Sequence, residues 1–336
     1  MNENDYAVVI GVDHYPDFAP LNGAVNDAKK VHEWLLAPDG GALLKDNCKL
    51  IVSGQNNDIP IQDTIDQAFA EIIQKIGNTE GRRLYFYFSG HGMSDFDAED
   101  IAMCLRRWSA TMRRSAISCR KYRRTLQTSG RFAELVFWID CCRIRNIRSG
   151  GMEPTFDWPR PADSASETRY FLGFATSYLN PSFEVEAGAA AGEEYEGIFT
   201  RVLLAGLKGG AAKDGQVTAQ SLKEYLDVNV PRWANENNRH QTPDVSYNFL
   251  HDQLPIIGNA KKASDINVRF SFSPSRIGGI ELVDKGLNPV HQSSVDDWPE
   301  AILLEPGDYE IIDLVNNESK RFKVSMVSGL EVRYEF

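Results

Sequence analysis

The hydrophobic pattern of the first 260 residues alternates between short apolar runs and amphipathic stretches. The runs, rich in β-branched and aromatic residues, predict buried parallel strands at residues 6–12, 48–53, 84–88, 135–139 and 170–176. Apolar residues at helical spacing predict helices at 24–36, 61–76, 197–207 and 218–233. This order predicts an α/β fold, with a mostly parallel sheet and helices on both of its faces.

The pattern changes from about Asp265 onwards. Short strand-like segments separated by Gly, Pro, Asn and Asp follow at residues 266–272, 280–283, 301–304, 309–314, 321–327 and 330–336. This spacing is typical of a small antiparallel sandwich or barrel. We therefore divide the chain into one domain at 1–260 and a small all-β domain at 261–336. The second domain offers little chemistry, and we expect it to bind a regulatory protein partner or to position one.

Composition narrows the class of protein further. The 336 residues include 42% hydrophobic and 25% charged residues, as in ordinary globular proteins, and a net charge of -11 argues against nucleic-acid binding. Five cysteines do not make a disulfide framework, which favours a reducing compartment. No apolar run reaches the length of a membrane span, and the N-terminus lacks the pattern of a signal peptide. We expect a cytoplasmic protein without a membrane partner.

Two of the predicted strands end in reactive residues. The strand at 84–88 runs into Ser89-Gly-His-Gly92, and the strand at 135–139 runs into Asp140-Cys-Cys-Arg143. Ligands bind at the carboxyl ends of parallel strands, so His91 and Cys142 should meet there. An imidazole that takes the thiol proton creates a thiolate nucleophile. A cysteine at a strand end is more often a small buried hydrophobe, but a histidine between two glycines is harder to explain without a function.

The two motifs resemble those of caspase-like cysteine peptidases, which include caspases, metacaspases and paracaspases. His91 lies 51 residues before Cys142, and this spacing resembles that of caspases, which place their histidine about 50 residues before the cysteine motif. Asp140-x-Cys-Arg-x-Arg-Asn146 is most similar to the paracaspase version. The resemblance covers roughly residues 5–256 and implies a three-layer αβα sandwich with Cys142 as the nucleophile and His91 as its base.

The resemblance also implies an acidic pocket for a basic side chain. The segment around Asp27 is similar to one that lines this pocket in metacaspases and paracaspases, and Asp140 stands where an apoptotic caspase has glutamine. Glu184, in the small and acidic segment at 180–196, is a third candidate for the same pocket. Each acid has a structural reading as well. Asp27 lies in the first turn of a predicted helix, where the dipole favours a carboxylate, and Asp140 could cap a helix or bind backbone N–H groups.

These residues predict an endopeptidase that cleaves after Arg or Lys through a thioester, and that is regulated or activated by a signal. Backbone N–H groups at Cys142 and Gly92 are candidates for stabilising the oxyanion. No third residue for orienting His91 is identifiable. We expect no cofactor. Calcium activation is known for some metacaspases, but no ligand cluster here supports it.

Three alternatives remain open. A caspase-like fold can persist as a catalytically silent scaffold or binding module, although both reactive residues are present here. A metal site formed by His91, Cys141 and Cys142 is disfavoured, because neighbouring cysteines on a strand point to opposite faces. A cysteine hydrolase or transferase of another clan would need a different histidine, and no other histidine has a suitable context.

Arg and Lys residues are concentrated between 106 and 131, although the chain is acidic overall. A solvated helix face is the simplest interpretation. A patch for an anionic partner and an exposed self-cleavage region are the alternatives.

Overall fold

A computed structural model describes residues 2–54, 58–94, 100–145, 150–158, 168–186, 195–213, 215–249, 255–257, 266–273, 276–284, 287, 289–304, 307–316, 318–324 and 331–335. The helices are α1 (Ala24–Leu36), α2 (Gln62–Ile76), α3 (Cys119–Ser129), α4 (Ile198–Ala205) and α5 (Ala219–Glu236), with a 3₁₀ turn at Lys45–Asn47 and a π-type turn at Gly206–Gly210. The strands up to the domain boundary are β1 (Asp5–Gly11), β2 (Cys48–Val52), β3 (Gly81–Ser89), β4 (Gly92–Ser94), β5 (Ala102–Cys104), β6 (Ala116–Ser118), β7 (Phe132–Asp140), β8 (Ile144–Arg145), β9 (Arg169–Phe174), β10 (Glu184–Glu186), β11 (Tyr195–Gly197), β12 (Val217–Thr218), β13 (Asp244–Tyr247) and β14 (Pro255–Ile257).

A six-stranded sheet in the order β13-β9-β7-β3-β1-β2 forms the centre of the larger domain. Its first five strands in sequence, β1, β2, β3, β7 and β9, pair in parallel, and β13 is antiparallel at one edge. The carboxyl ends of the five parallel strands therefore share one edge of the sheet. This arrangement confirms the predicted α/β class, while β13 was missing from the sequence-based prediction.

The sheet is covered by helices on both faces. Alternate residues of each strand point to opposite faces, so each strand contributes to two apolar cores. On β1, Tyr6, Val8 and Ile10 belong to the apolar core that includes the buried residues of α2 and α3. Ala7 and Val9 belong to the opposite core, which includes the buried residues of α1, α4 and α5. The result is the three-layer αβα sandwich that the sequence motifs implied.

Helix α1 packs closely against β1, and Gly11 makes that approach possible. A Cβ atom at Gly11 would lie 2.6 Å from the Ala24 carbonyl oxygen and 2.7 Å from Ala28 Cβ, closer than atoms in van der Waals contact. Val31, Trp34 and Leu35 are the buried apolar stripe of the helix, as its sequence spacing predicted. The contact brings the N-terminal turn of α1, with Asp27, to the carboxyl edge of the sheet.

A smaller four-stranded sheet, in the order β6-β5-β4-β8, continues from the reactive motifs. Strand β4 begins directly after His91, and β8 begins two residues after Cys142. The two strands pair in parallel, with Met93 opposite Ile144. The histidine and cysteine segments are thus paired twice, first through β3 and β7 in the central sheet and again through β4 and β8 in the smaller sheet.

The C-terminal residues form separate β-sheets. Their strands are β15 (Ile266–Ser271), β16 (Gly279–Asp284), β17 (Pro289–Ser294), β18 (Ile302–Leu304), β19 (Gly307–Asp313), β20 (Glu318–Val324) and β21 (Glu331–Glu335). They make a three-stranded sheet, β18-β15-β21, and an antiparallel four-stranded sheet, β17-β16-β19-β20. The buried apolar residues between Val268 and Val324 form a cluster of their own. The all-β structure predicted for this segment is confirmed, although strand β17 was missed.

The proposed domain boundary near residue 260 stays a prediction, and a fragment of residues 1–260 tests it. We expect this fragment to be soluble and cooperatively folded, because it keeps both cores of the αβα sandwich and strand β14, which pairs with β12. A fragment of residues 1–250 is the control, since it loses β14. Circular dichroism and thermal unfolding compare the two. Aggregation of the 1–260 fragment under conditions where the full chain is stable would place the β-rich segment inside the same folding unit.

Candidate active site

One cavity of about 130 Å³ lies at the carboxyl edge of the central sheet and contains both reactive side chains. It is lined by Leu21, Asp27, Ser89, Gly90, His91, Asp140, Cys141, Cys142, Ser182, Phe183, Glu184 and Gly197. The catalytic pair predicted from the sequence therefore shares a cavity with all three acids of the predicted pocket. Gly92, the candidate for the oxyanion site, is not among the lining residues.

His91 is held by the loop between β1 and α1. Its ring packs against both Tyr15 and Phe18, with ring centroids 4.8 Å and 4.6 Å away, and these two rings also meet each other, with centroids 5.6 Å apart. Its backbone N–H donates to the Tyr15 hydroxyl (2.9 Å), and Nε2 lies 3.1 Å from the Ala19 carbonyl oxygen. A carbonyl can only accept a hydrogen bond, so Nε2 carries the proton. In the neutral ring, Nδ1 is then the nitrogen that can take a proton from a thiol.

The two adjacent cysteines occupy different environments. Cys141 is buried in the core shared with α2 and α3, and a Cβ atom at Gly92 would lie 2.2 Å from its Sγ. Cys142 is only partly buried, and its Sγ accepts a hydrogen bond from the Ser182 backbone N–H at 3.3 Å. Of the two thiols, Cys142 is the one that a substrate in the cavity can reach more easily.

Burial keeps the substrate-free Cys–His pair neutral. It lowers the pKa of His91, although the Ala19 carbonyl opposes this, and it raises the pKa of Cys142, with the nearby Asp140 adding to the effect. The Cys142 Sγ bonds to the Ser182 backbone, and no hydrogen bond joins it directly to His91, both residues being fully described. Both shifts favour a protonated thiol and a neutral imidazole at neutral pH.

Asp140 connects the cysteine strand to helix α4. Its Oδ2 accepts hydrogen bonds from the Thr200 backbone N–H (3.1 Å) and hydroxyl (2.7 Å), in the first turn of α4, and its Oδ1 accepts one from the Ser182 hydroxyl (2.9 Å). This is the structural role considered for a strand-end aspartate. Glu184 acts similarly at α1, where it accepts from the backbone N–H groups of Asn22 and Gly23.

Asp27 differs from the other two acids. It is 1% exposed, and its Oδ2 accepts from the Gly197 backbone N–H at 2.8 Å. Its Oδ1 is buried and has no hydrogen-bond partner among the described residues. A buried carboxylate oxygen without a donor is costly, and such atoms in native proteins call for an explanation.

Gly197 allows Asp27 and Asp140 to approach each other. A Cβ atom on this glycine would lie 2.3 Å from Asp140 Oδ2 and 2.8 Å from Asp27 Oδ2. Burial raises the pKa of Asp27 well above its usual range, and the neighbouring Asp140 raises it further. Burial also raises the pKa of Asp140, against the donors that bind it. Burial and the neighbouring Asp140 thus favour a proton on Asp27.

Arg143, directly after the nucleophile motif, is a structural residue. It is buried and bonds to the Thr176 carbonyl oxygen (3.3 Å) and to the Asp244 carboxylate (2.6 Å), with its guanidinium 4.4 Å from the centre of the Phe174 ring. Those contacts tie the cysteine motif to β9 and to the edge strand β13.

The Arg-rich segment has a partly structural role. Arg120, Lys121, Arg123 and Arg124 lie on α3, and the Arg123 guanidinium packs over Tyr170 at 4.4 Å. Arg131 packs over Trp158 at 6.0 Å. These contacts agree with a helix face that is solvated on one side. The remaining arginines, Arg106, Arg107, Arg113 and Arg114, form a cationic turn at 106–114.

Sequence reasoning missed several residues that build the site. Thr200 and Ser182 bind Asp140, and the missing side chain of Gly197 lets Asp140 approach Asp27, but each of the three stands far from the motifs along the chain. The acceptor that orients His91 is a backbone carbonyl, at Ala19, which leaves no trace in the sequence. Tyr15 could have been noticed as an aromatic residue in a loop that returns to the strand edge.

Comparison with known proteins agrees with this geometry. The family model of the caspase domain, in peptidase family C14, matches residues 4–255. The chain belongs to this family of peptidases. The caspase domain accordingly comprises the central sheet, its five helices and the cavity with His91 and Cys142.

Two proteins illustrate the range of similarity. A probable protease from a Desulfuromonadales bacterium is 36% identical over 244 residues, which is 69% of this chain. The matched region is only 28% of that longer protein. A crystal structure of a protein from Geobacter sulfurreducens covers 74% of this chain and 95% of its own, with a TM-score of 0.46 and 16% identity.

In the described part of the chain, no helix is both long and apolar enough to cross a membrane.

The hydroxyl of Tyr15 gives a test of how His91 is held. It accepts from the His91 N–H and donates to the Cys104 carbonyl at 3.3 Å. Since an unpartnered buried N–H costs about 1–3 kcal/mol, Tyr15→Phe should lower the free energy of unfolding by about that amount in urea denaturation. Tyr6→Phe is the control, because no hydrogen bond of the Tyr6 hydroxyl is present within the described residues, and it should change stability by less than about 0.5 kcal/mol. Equal effects of the two substitutions would contradict the assigned contact.

Proposed function

We propose that this caspase domain is a cysteine endopeptidase that cleaves after arginine or lysine. The supporting observation is the single cavity in which Cys142 and His91 lie beside the buried carboxylates of Asp27 and Asp140. The combination supplies a nucleophile, a base and a pocket lined by acidic side chains, whose carboxylate form a cationic residue before the scissile bond would stabilise. Regulation by a signal or a partner is part of the proposal, and the C-terminal β-domain is the surface proposed for such a partner.

The reaction follows from the chemistry of the pair. As Cys142 Sγ attacks the substrate carbonyl, His91 Nδ1 takes the thiol proton, which fits a pair that is neutral before substrate binds. The imidazolium then protonates the departing amine, and a thioester to Cys142 remains. A water molecule, deprotonated by the same nitrogen, hydrolyses the thioester. Backbone N–H groups at Cys142 and Gly92 are our candidates for binding the oxyanion.

Asp27 is the acid best suited to bind the cationic side chain. The carboxylates of Asp140 and Glu184 are already occupied by donors from α4 and from the residues before α1, whereas Asp27 Oδ1 is free within the described residues. An arginine N–H placed there would complete the hydrogen bonding of Asp27 and neutralise its charge. Asp140 would then act through its negative charge and by shaping the pocket.

A reducing compartment, the cytoplasm, is the proposed location. All five cysteines are free thiols, and four of them are buried. Catalysis by Cys142 requires that its thiol stay reduced. The proposed partners are proteins or peptides with a basic residue before the cleaved bond, and we propose no cofactor.

Paired cysteine substitutions test the nucleophile. Cys142→Ala should abolish cleavage of fluorogenic arginyl peptides, because no other thiol with comparable access lies in the cavity among the described residues. Cys141→Ala removes the buried neighbouring thiol. It should keep most of the turnover when it is assayed at a temperature where the variant is folded. His91→Ala should reduce kcat by at least about 10²-fold, the usual contribution of a general base. Full activity of Cys142→Ala, or loss only with Cys141→Ala, would overturn the assignment.

Selectivity and its pH dependence test the role of Asp27. Removing one partner of a desolvated charge pair costs about 2–5 kcal/mol, so Asp27→Asn should lower kcat/KM for an arginyl peptide by roughly thirtyfold or more. The effect on a matched glutaminyl peptide should be small.

In the wild type, KM for the arginyl peptide should fall as pH rises through the raised pKa of Asp27, because the proton and the cation compete for the same carboxylate. Asp27→Asn should lose this dependence.

Asp66→Asn is the matched control for that experiment. Asp66 is also buried and hydrogen-bonded, to Tyr122 and Thr155, but it does not line the cavity. It should alter stability and leave the preference for arginine intact. Efficient cleavage after aspartate by the wild type would refute the acidic pocket.

A further inference from the structure

The turn between β5 and β6 contacts the loop that orients His91. The Trp108 ring stacks on Phe18, with centroids 4.1 Å apart and planes 5° from parallel. Nearby, the Ala110 backbone N–H donates to the Asp17 carboxylate at 2.7 Å. Two independent contacts therefore connect this cationic turn to neighbouring residues of the β1–α1 loop, one to Asp17 and the other to Phe18.

The stack continues to the imidazole. Phe18 lies between Trp108 and His91, with its ring centroid 4.6 Å from that of His91. The next residue, Ala19, provides the carbonyl that accepts from His91 Nε2. Trp108 thus supports both the apolar neighbour of the ring and the acceptor that selects its tautomer, although it does not line the cavity itself.

The stack is one of three features that fix the position of Ala19 among the described residues, the others being the edge-on contact of Phe18 with Tyr15, with centroids 5.6 Å apart, and Pro20, which restricts the backbone of Ala19. Residues 12–22 have no regular secondary structure, and Ala19 is exposed. The loop is closed by the Leu21 N–H, which donates to the Asp13 carbonyl at 2.9 Å. Without the stack, the loop could shift so that the exposed Ala19 carbonyl accepts from water in place of His91.

Trp108 is itself rigidly supported. It is 5% exposed, and its backbone N–H donates to the Leu105 carbonyl at 2.8 Å. Leu105 in turn donates to the Ser115 carbonyl at 2.9 Å. The indole N–H has no partner among the described residues, so the ring contributes its flat face, a property that phenylalanine shares.

We infer that Trp108 is a positioning residue of the active site, which acts through Phe18 to hold the Ala19 carbonyl against His91 Nε2 and so keeps Nδ1 available as the base. The expected effect on kcat rests on the proposed function. The expected effect on the position and tautomer of His91 does not depend on activity. It also gives the turn at 106–114 a role: any ligand or partner that moves this turn would change the orientation of the catalytic base.

The test uses the full chain with three substitutions. Trp108→Ala removes the stack, Trp108→Phe keeps an aromatic face, and Trp158→Ala is the matched control. Trp158 is likewise 5% exposed and belongs to the same core, but it packs against Phe132 and Arg131, and neither of these lines the cavity. Loss of a buried tryptophan destabilises both alanine variants, so stability alone does not distinguish them.

The first readout is the split between kcat and KM for an arginyl peptide, at a temperature where all variants are folded. Displacement of a catalytic group by about 1 Å can cost about 10²-fold, so Trp108→Ala should lower kcat by roughly ten- to a hundredfold with KM changed less than about threefold. Trp108→Phe should recover kcat to within about threefold of the wild type. Trp158→Ala should keep the wild-type kcat.

The second readout does not need turnover. In protein labelled with ¹⁵N-histidine, the ring signals of His91, identified by their absence in His91→Gln, report its tautomer. The wild type and Trp158→Ala should show the Nε2–H form, whereas Trp108→Ala should show a mixture of the two neutral forms. If the wild type cleaves no peptide, the proposed function fails while this signature still tests the inference. An unchanged tautomer in Trp108→Ala, or equal kcat in the two alanine variants, would overturn it.

Discussion

The parallel pairing of β3 with β7 is the constraint on which the active site depends. Its register places Ser89 opposite Asp140, and the Gly90 N–H continues the ladder by donating to the Asp140 carbonyl at 3.2 Å. The histidine and cysteine motifs follow directly from these paired residues. A slip of one residue would reverse the faces of every side chain on a strand, and it would turn buried residues such as Phe86 and Trp138 from one core to the other. The cores therefore enforce the register that brings His91 and Cys142 together.

The carboxylates at this edge are the second defining feature. Asp140 and Glu184 are stabilised by N–H and O–H donors, whereas Asp27 keeps a buried oxygen without a partner in the described residues. Burial raises the pKa of both Asp27 and Asp140, and the charge of Asp140 raises the pKa of Asp27 further. A second negative charge in this pocket is therefore unfavourable. The same features favour a cation. An acid held in this costly environment is typical of a functional site, where local stability is given up for binding.

The sequence predicted the fold well where local pattern and tertiary structure agree. Apolar runs such as 84–88 and 135–139 predicted buried strands, and the residues that follow them predicted that His91 and Cys142 would lie at the same place, which they do, in one cavity. The resemblance of the motifs supplied Asp27, Asp140 and Glu184, which do line one cavity. The rest could not be predicted, because it depends on contacts between distant segments. The hydrogen bonds of Asp140 to Thr200, the close approach at Gly197 and the Ala19 carbonyl have no local signature. Strand β13 was missed because four residues at a sheet edge carry a weak pattern.

A covalent peptide probe tests the central claim most directly. A short peptide with arginine before a thiol-reactive ketone is incubated with the full chain, alongside a matched probe with aspartate, and the products are analysed by intact-mass and peptide-mapping mass spectrometry. Our account predicts stoichiometric modification of Cys142 by the arginyl probe, little reaction with the aspartyl probe, and none at the four buried cysteines. Labelling of another cysteine, or equal reaction of both probes at Cys142, would contradict it.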